Sequence, residues 1–436
     1  MAIIPIEDIS IPHFWYREIA MFIILAEFLF NQYLNYRQIR RLGSNQKVPD
    51  ELTELSVNEE EYSNSLVYSR AKLQFQVVML LVSTILELAL LYFFVEPFFW
   101  NLSGSILERR EINKYSEFYR GIVFMGFQMI KDKFTSIPFN LYESFVLEEK
   151  FGFNKKTMWI FLYDECVSTI ISIVLGIPIF YGFLWVVEAG GEYFYIYVEI
   201  FIIVIVFILM TIYPNWIAPL FNKYTELEDG TLKTKINNLA GKLNFPLTKI
   251  YVIDGSKRSN HSNAYFYGFG KNKRIVLFDT LIKQLGEDEI EAVLCHELGH
   301  WYFGHINKNL ILSFLQIFVI FYIYGFFIHK KELFLSFGFH EMSIFIGTYL
   351  FMLLYSPISY ISGLFILKLS RYFEFQADDF ANGYGYGELL CKGLIKLVKE
   401  NKSNLNPDPI YAAFKYSHPT LLERIKSINN NSKKKE

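Results

Sequence analysis

The chain has 436 residues, 52% of them apolar and 18% aromatic, with a formal charge of −2. A soluble chain of this length would hold about two or three domains, but this composition predicts a polytopic protein with the lipid bilayer as partner. The near-neutral charge gives no sign of nucleic-acid binding, and three scattered cysteines, Cys166, Cys295 and Cys391, argue against a disulfide framework.

In chain order, Glu7 and Asp8 stand where a signal peptide would be basic, so the apolar stretch Phe14–Tyr36 reads as a first, uncleaved span. Further spans are predicted near Gln76–Trp100, Tyr119–Ile130, Val167–Val187, Tyr193–Trp216, Leu310–Ile328 and Met342–Leu369, about seven in all. Arg37, Arg40, Arg41, Arg70 and Lys72 follow the first span, and Lys131, Lys133, Lys150, Lys155 and Lys156 follow the third. The turn Glu188–Glu192 has no basic residue. The positive-inside rule then sets the N-terminus in the lumen and the C-terminus in the cytosol, with Asn101-Leu102-Ser103 as a lumenal sequon. Arg17, Glu27, Glu87, Asp164 and Glu165 lie in or beside spans, where each would cost roughly 2.5–3.5 kcal/mol facing lipid. They predict a polar, water-filled enclosure between the helices.

From Pro219 to Gly286 the composition turns soluble. A helix near Leu232–Leu243 precedes β-prone runs at Lys249–Ile253, Ala264–Phe269 and Arg274–Phe278, bounded by Gly255, Gly268 and Gly270. An edge strand here could hold an extended peptide. The acidic run Glu287-Asp288-Glu289 suits a helix start, and the helix carries His296-Glu297-Leu298-Gly299-His300. Imidazoles four residues apart share one helix face and can close on one zinc ion, with Glu297 between them able to take a proton from water. Read as two ordinary packed histidines, the pair would be poorly satisfied. A metzincin would place its third histidine at position 306, which is Ile306; His305 is one residue out of register. Downstream, Glu374 offers a carboxylate ligand, and Asp378 one turn later can orient a ligand or pair with a basic group. Cys295 is one step off the metal face and reads as a small packed side chain. After Gly383, Gly385 and Gly387 a helix is predicted near Glu388–Asn401. Lys433 and Lys434, fourth and third from the end of a polar tail, fit a di-lysine endoplasmic-reticulum pattern.

Several separate stretches resemble the multi-spanning CAAX prenyl protease 1 family. They are Glu148-Glu149-Lys150-Phe151-Gly152-Phe153-Asn154, Ile217-Ala218-Pro219-Leu220-Phe221-Asn222-Lys223, the run Gly255 to Gly268, His296 to Trp301, Phe373 to Ala377 and Ser417 to Arg424. The resemblance implies a mainly α, polytopic membrane protein of about seven helices around an intramembrane chamber, with a small cytosolic α/β metalloprotease cap. The chain divides accordingly into spans and loops (1–218), a cap segment (219–309), two spans (310–369), a C-terminal helical segment (370–428) and a tail (429–436). The resemblance further implies one zinc per chain on His296, His300 and Glu374, with Glu297 as general base. It places Asn263 and His418 beside the scissile carbonyl and Asp378 with Arg424 as an ion pair behind the ligands. The activity implied is removal of the C-terminal tripeptide from farnesylated CAAX proteins, in the endoplasmic reticulum membrane and the nuclear envelope. A second, upstream cleavage is left open, and so are the oligomeric state and two other readings: quality control of unprenylated membrane proteins, and a non-catalytic translocon-associated scaffold. Phe151, where the family often has histidine, and Asp379, where a small residue often stands, depart from the pattern.

Overall fold

The fold is seen in a computed structural model that describes residues 3–6, 15–43, 47–268 and 270–433. Glu7, Asp8, Phe14, Phe269 and Lys434, used in the readings above, lie outside these. Long helices dominate: α1 (Tyr16–Arg41), α2 (Glu59–Tyr92), α3 (Val95–Arg109), α4 (Glu117–Tyr142), α5 (Met158–Gly190) and α6 (Phe194–Ile212). At 1.5 Å per residue, about 20 apolar residues cross a bilayer. Among the described residues five helical stretches are long and apolar enough, one of them Met158–Phe221, whose 64 residues hold two of the predicted spans. The predicted third span lies within α4, which is long enough to cross but carries Arg120, Lys131, Asp132 and Lys133.

The predicted second span, Gln76–Trp100, is corrected. α2 stops at Tyr92, and Phe94, at φ 53°, turns the chain into the separate helix α3. The aromatic run Tyr92 to Phe94 continues the hydropathy across the break, so composition hides it. α2 begins where Asn58 Oδ1 accepts the Glu61 N–H at 2.8 Å and Glu61 Oε2 accepts the Asn58 N–H at 3.0 Å, a reciprocal cap.

Several of the charged groups inside the bundle find partners on other helices. Glu27 accepts from Ser356 at 3.0 Å, Lys133 pairs with Glu165 at 2.6 Å, and Lys131 pairs with Glu96 at 2.9 Å. Asp164 takes Arg258 of the cap through two bonds, at 2.7 and 3.1 Å. Such pairs offset the cost of charge at that depth.

The cap opens with β2 (Tyr224–Glu226), followed by α7 (Thr231–Lys242), β3 (Leu247–Ile253), β4 (Ala264–Tyr267) and β5 (Lys273–Phe278). β1 (Ile4–Pro5) belongs to a separate two-stranded pair near the N-terminus, with β6 (Glu341–Met342). The cap sheet runs β2-β3-β5-β4: β3 and β5 are parallel, the other pairs antiparallel, and β4 is an edge. β2 was not anticipated, because three residues are too few to show alternation. α8 (Glu287–Tyr302) packs on the sheet, with Ile236, Leu239, Ile275, Leu277, Ile290 and Leu294 forming the buried centre.

α9 (His305–Tyr324) returns into the membrane region, and α10 (Ile344–Gly383) comes back out. α10 starts where Glu117 of α4 accepts both the Ser343 hydroxyl at 2.7 Å and the Phe345 N–H at 2.8 Å. Its 40 residues span about 60 Å, roughly twice the hydrocarbon thickness. α11 (Gly387–Glu400), α12 (Pro409–Lys415) and α13 (Leu421–Lys433) close the chain over α8 and α10.

Candidate metal centre

Charge specifies the start of α8. Glu287, Asp288 and Glu289 fill its first turn, and Glu289 Oε2 accepts the Gly286 N–H at 2.8 Å. With the helix begun there, His296 and His300 fall on one face, 4.9 Å between ring centroids. Gly299 sits where α8 meets α10: a Cβ there would stand 3.2 Å from Ala377 Cα and 3.2 Å from Phe380 Cβ. The absent side chain lets the two backbones approach.

That close crossing brings Glu374 to both imidazoles. His300 Nε2 lies 3.2 Å from His296 Nε2 and 3.3 Å from Glu374 Oε1, and His296 Nε2 lies 3.5 Å from Glu374 Oε2. Ligand bonds of about 2.0–2.1 Å around a tetrahedral ion put neighbouring donors about 3.4 Å apart, and these three separations match that edge. The two Nε2 atoms face one another, and buried Glu374 Oε2 has no hydrogen-bond partner among the described residues. The residues fit a metal ion held by two imidazoles and one carboxylate, with further positions open.

Behind this triangle lies a charged layer. Asp378 Oδ1 is 2.9 Å from His296 Nδ1, and Arg424 of α13 grips Asp378 through Nη2 at 2.6 Å and Nε at 2.9 Å. Arg424 Nη1 also lies 3.6 Å from Glu374 Oε2. Burial and the Arg424 guanidinium press His296 towards neutrality, but the carboxylates of Asp378 and Glu374 outweigh them and raise its pKa to about 9. Burial raises the Glu297 carboxyl above its ordinary value, with both imidazoles pulling it back. Its neighbour Cys295 is fully buried in the cap core, where burial pushes the thiol up to about 12.

His418 Nε2 stands 3.4 Å from Glu374 Oε1, with its ring mostly exposed and Ser417 Oγ 2.9 Å from its Nδ1. Asn263 stands at the mouth of β4, its Oδ1 accepting the Ala264 N–H at 2.8 Å; no described hydrogen bond joins it to the His–His–Glu cluster. Two residues with no role in the sequence reading also belong here. His305 Nδ1 is 2.8 Å from His300 Nδ1, and its Nε2 is 3.1 Å from Gln376 Oε1. The sequence offers His305 only as an off-register ligand; its position directly after Gly304, a glycine that ends α8, is the available signal. Beside His300 opens an apolar groove of about 690 Å³ lined by Met210, Tyr213, Tyr265, Tyr267, Trp301 and Leu310, so edge strand, groove and metal triangle adjoin.

Residues 38–223 match the family described as CAAX prenyl protease N-terminal, five membrane helices, and residues 226–432 match Peptidase family M48. A protein of Arabidopsis thaliana named CAAX prenyl protease 1 homolog is 41% identical, covering 96% of this chain and 99% of its own length. The CAAX prenyl protease 1 of Saccharomyces cerevisiae is 38% identical over 94% of this chain and 95% of its own. The chain belongs to the CAAX prenyl protease 1 family. The crystal structure of S. mikatae Ste24p superposes with a TM-score of 0.90 at 38% identity, covering 96% of this chain and 100% of that one. As a CAAX prenyl protease 1 family member with an M48 peptidase segment, the chain is a multi-pass membrane metalloendopeptidase.

Proposed function

We propose that this protease removes the C-terminal tripeptide of farnesylated CAAX proteins, with zinc held by His296, His300 and Glu374. The observation that carries the reading is the meeting, at His300, of the metal triangle with the apolar groove below the free edge of β4. A peptide laid along that edge gains main-chain hydrogen bonds, and the groove suits an isoprenoid or the aliphatic residues that follow the modified cysteine. Bound zinc supplies Lewis acidity at the scissile carbonyl.

The chain's own groups then divide the work. Glu297, its carboxyl raised by burial, takes a proton from the attacking water and returns it to the leaving amine as the C–N bond breaks. His418, with Ser417 Oγ at Nδ1, presents Nε2–H to the developing oxyanion. Asn263, two residues before Tyr265 of the groove, is placed to act as a second donor or to position the peptide backbone. Asp378 and Arg424 hold His296 from behind. The same reading places the protein in the endoplasmic reticulum membrane, its C-terminus in the cytosol, in keeping with the basic loops.

The test is a pair of matched peptides, one farnesylated and one not, offered to the wild type and to Glu297→Gln in vesicles. Tripeptide release from the farnesylated peptide alone, lost in Glu297→Gln with metal content unchanged, is expected. Equal cleavage of both peptides would instead favour unprenylated substrates, and turnover by Glu297→Gln would exclude it as the base.

A further inference from the structure

We propose that His305 and Gln376 form a positioning relay that fixes the tautomer of His300, leaving its Nε2 lone pair free for the metal. The inference rests on the assignment of His300 as a ligand. Among the described residues, the hydrogen-bond partner of His305 Nε2 is a carbonyl oxygen, Gln376 Oε1, at 3.1 Å. A carbonyl oxygen cannot donate, so His305 Nε2 carries the hydrogen. A neutral imidazole protonated at Nε2 has its lone pair at Nδ1. That atom lies 2.8 Å from His300 Nδ1, so the hydrogen between them belongs to His300. His300 Nε2 is then bare, and it is the atom 3.2 Å from His296 Nε2 and 3.3 Å from Glu374 Oε1.

The relay is directional. With the Gln376 amide turned over, His305 Nε2 would accept, its Nδ1–H would donate to His300 Nδ1, and His300 Nε2 would carry a hydrogen into the metal triangle. The Tyr372 hydroxyl, 3.2 Å from Gln376 Nε2, can accept from the amide or donate to it, so the direction of the relay is set by the assignment of His300 Nε2 as a ligand: its Nδ1 then carries the hydrogen, and only the carbonyl orientation of Gln376 completes the chain. His305 is buried and lies flat on Phe373, 4.1 Å between centroids and 9° between planes, which fixes the plane of its ring. Gly304, at φ 65°, breaks the helix just before it and returns the ring beneath His300. His296 is served differently, by the Asp378 carboxylate. One short run of α10, Glu374 to Asp378, therefore supplies a ligand and the outer partner behind each of the other two.

Zinc affinity of the full chain in detergent, measured by competition with a chromophoric chelator, tests this without any peptide. Gln376→Leu, which removes the acceptor, and His305→Phe, which keeps the stacked ring and removes both nitrogens, are each expected to weaken zinc binding about 10–100-fold. Gln376→Glu keeps an acceptor facing His305 and is expected to bind within a few-fold of the wild type. The unfolding midpoints of the metal-free variants should stay near the wild-type value, which separates positioning from general damage. Wild-type affinity in Gln376→Leu and His305→Phe would overturn the relay, and so would an equal loss in Gln376→Glu and Gln376→Leu. Loss of zinc by His300→Ala alongside full affinity in Gln376→Leu would sink the relay while sparing the ligand assignment. A wild type that takes up no zinc would overturn both.

Discussion

Asp378 has no exposed surface, and its charge is tolerated because Arg424 meets both oxygens and His296 meets one. Breaking such a pair from one side leaves a bare charge indoors, which costs about 3–5 kcal/mol. Arg424→Met should therefore lower the stability of the metal-free chain by about that much in chemical unfolding, and Asp378→Asn added to it should restore part of the loss. An unchanged unfolding curve for Arg424→Met would show that the carboxylate is satisfied by other means. At this scale the sequence was most legible where one helix turn sets the geometry. His296, Glu297 and His300 follow from spacing alone, and Glu374 with Asp378 from an acidic pair at helical spacing. His305 was not legible as a partner of His300, because five residues on an unbroken helix would point it elsewhere; Gly304 breaks the helix, and the direction of the new one is a tertiary fact.

Between elements, the approach of α8 to α10 decides whether three donors reach one point. Gly299 stands against a backbone atom, Ala377 Cα, which has little room to give. Gly299→Ala gains about 1 kcal/mol of helix propensity but overpacks a rigid contact, at about 1–3 kcal/mol. The expected outcome is a small net loss of stability with a larger loss of metal affinity, because the added methyl pushes Glu374 away from the imidazoles. Denaturant unfolding and metal titration on the same preparation would check it, and full affinity at reduced stability would show that α10 can yield without moving Glu374. Cap elements were read to within a residue or two, Leu232–Leu243 becoming Thr231–Lys242 and Arg274–Phe278 becoming Lys273–Phe278, whereas the membrane helices run well past the apolar stretches, Met342–Leu369 becoming Ile344–Gly383. The end of the second span was misplaced because hydropathy averages over side chains and does not register one left-handed residue at Phe94.

For the molecule as a whole, composition was enough for a polytopic helical protein, whereas the pairing of its interior charges needed coordinates. Asp164 with Arg258 and Arg37 with Asp408 link residues far apart in sequence, tying spans to the cap and to the C-terminal segment. α10 joins the two halves most directly, since the rod that crosses the membrane region also carries Glu374, nine residues before its end at Gly383. A rod fixed at one end to the reacting centre and immersed at the other in acyl chains works as a lever. Thicker or thinner lipid would then tilt it by hydrophobic mismatch, and the tilt is expected to reach the carboxylate as a displacement. Turnover in vesicles of short-, medium- and long-chain phosphatidylcholine should pass through a maximum while the unfolding midpoint stays level; a flat profile would mean that α10, which has Pro357 within it, or the surrounding helices absorb the tilt. The enzyme would then gauge the thickness of the sheet it lives in, and hydrolysis would be fastest in the compartment whose lipids fit it.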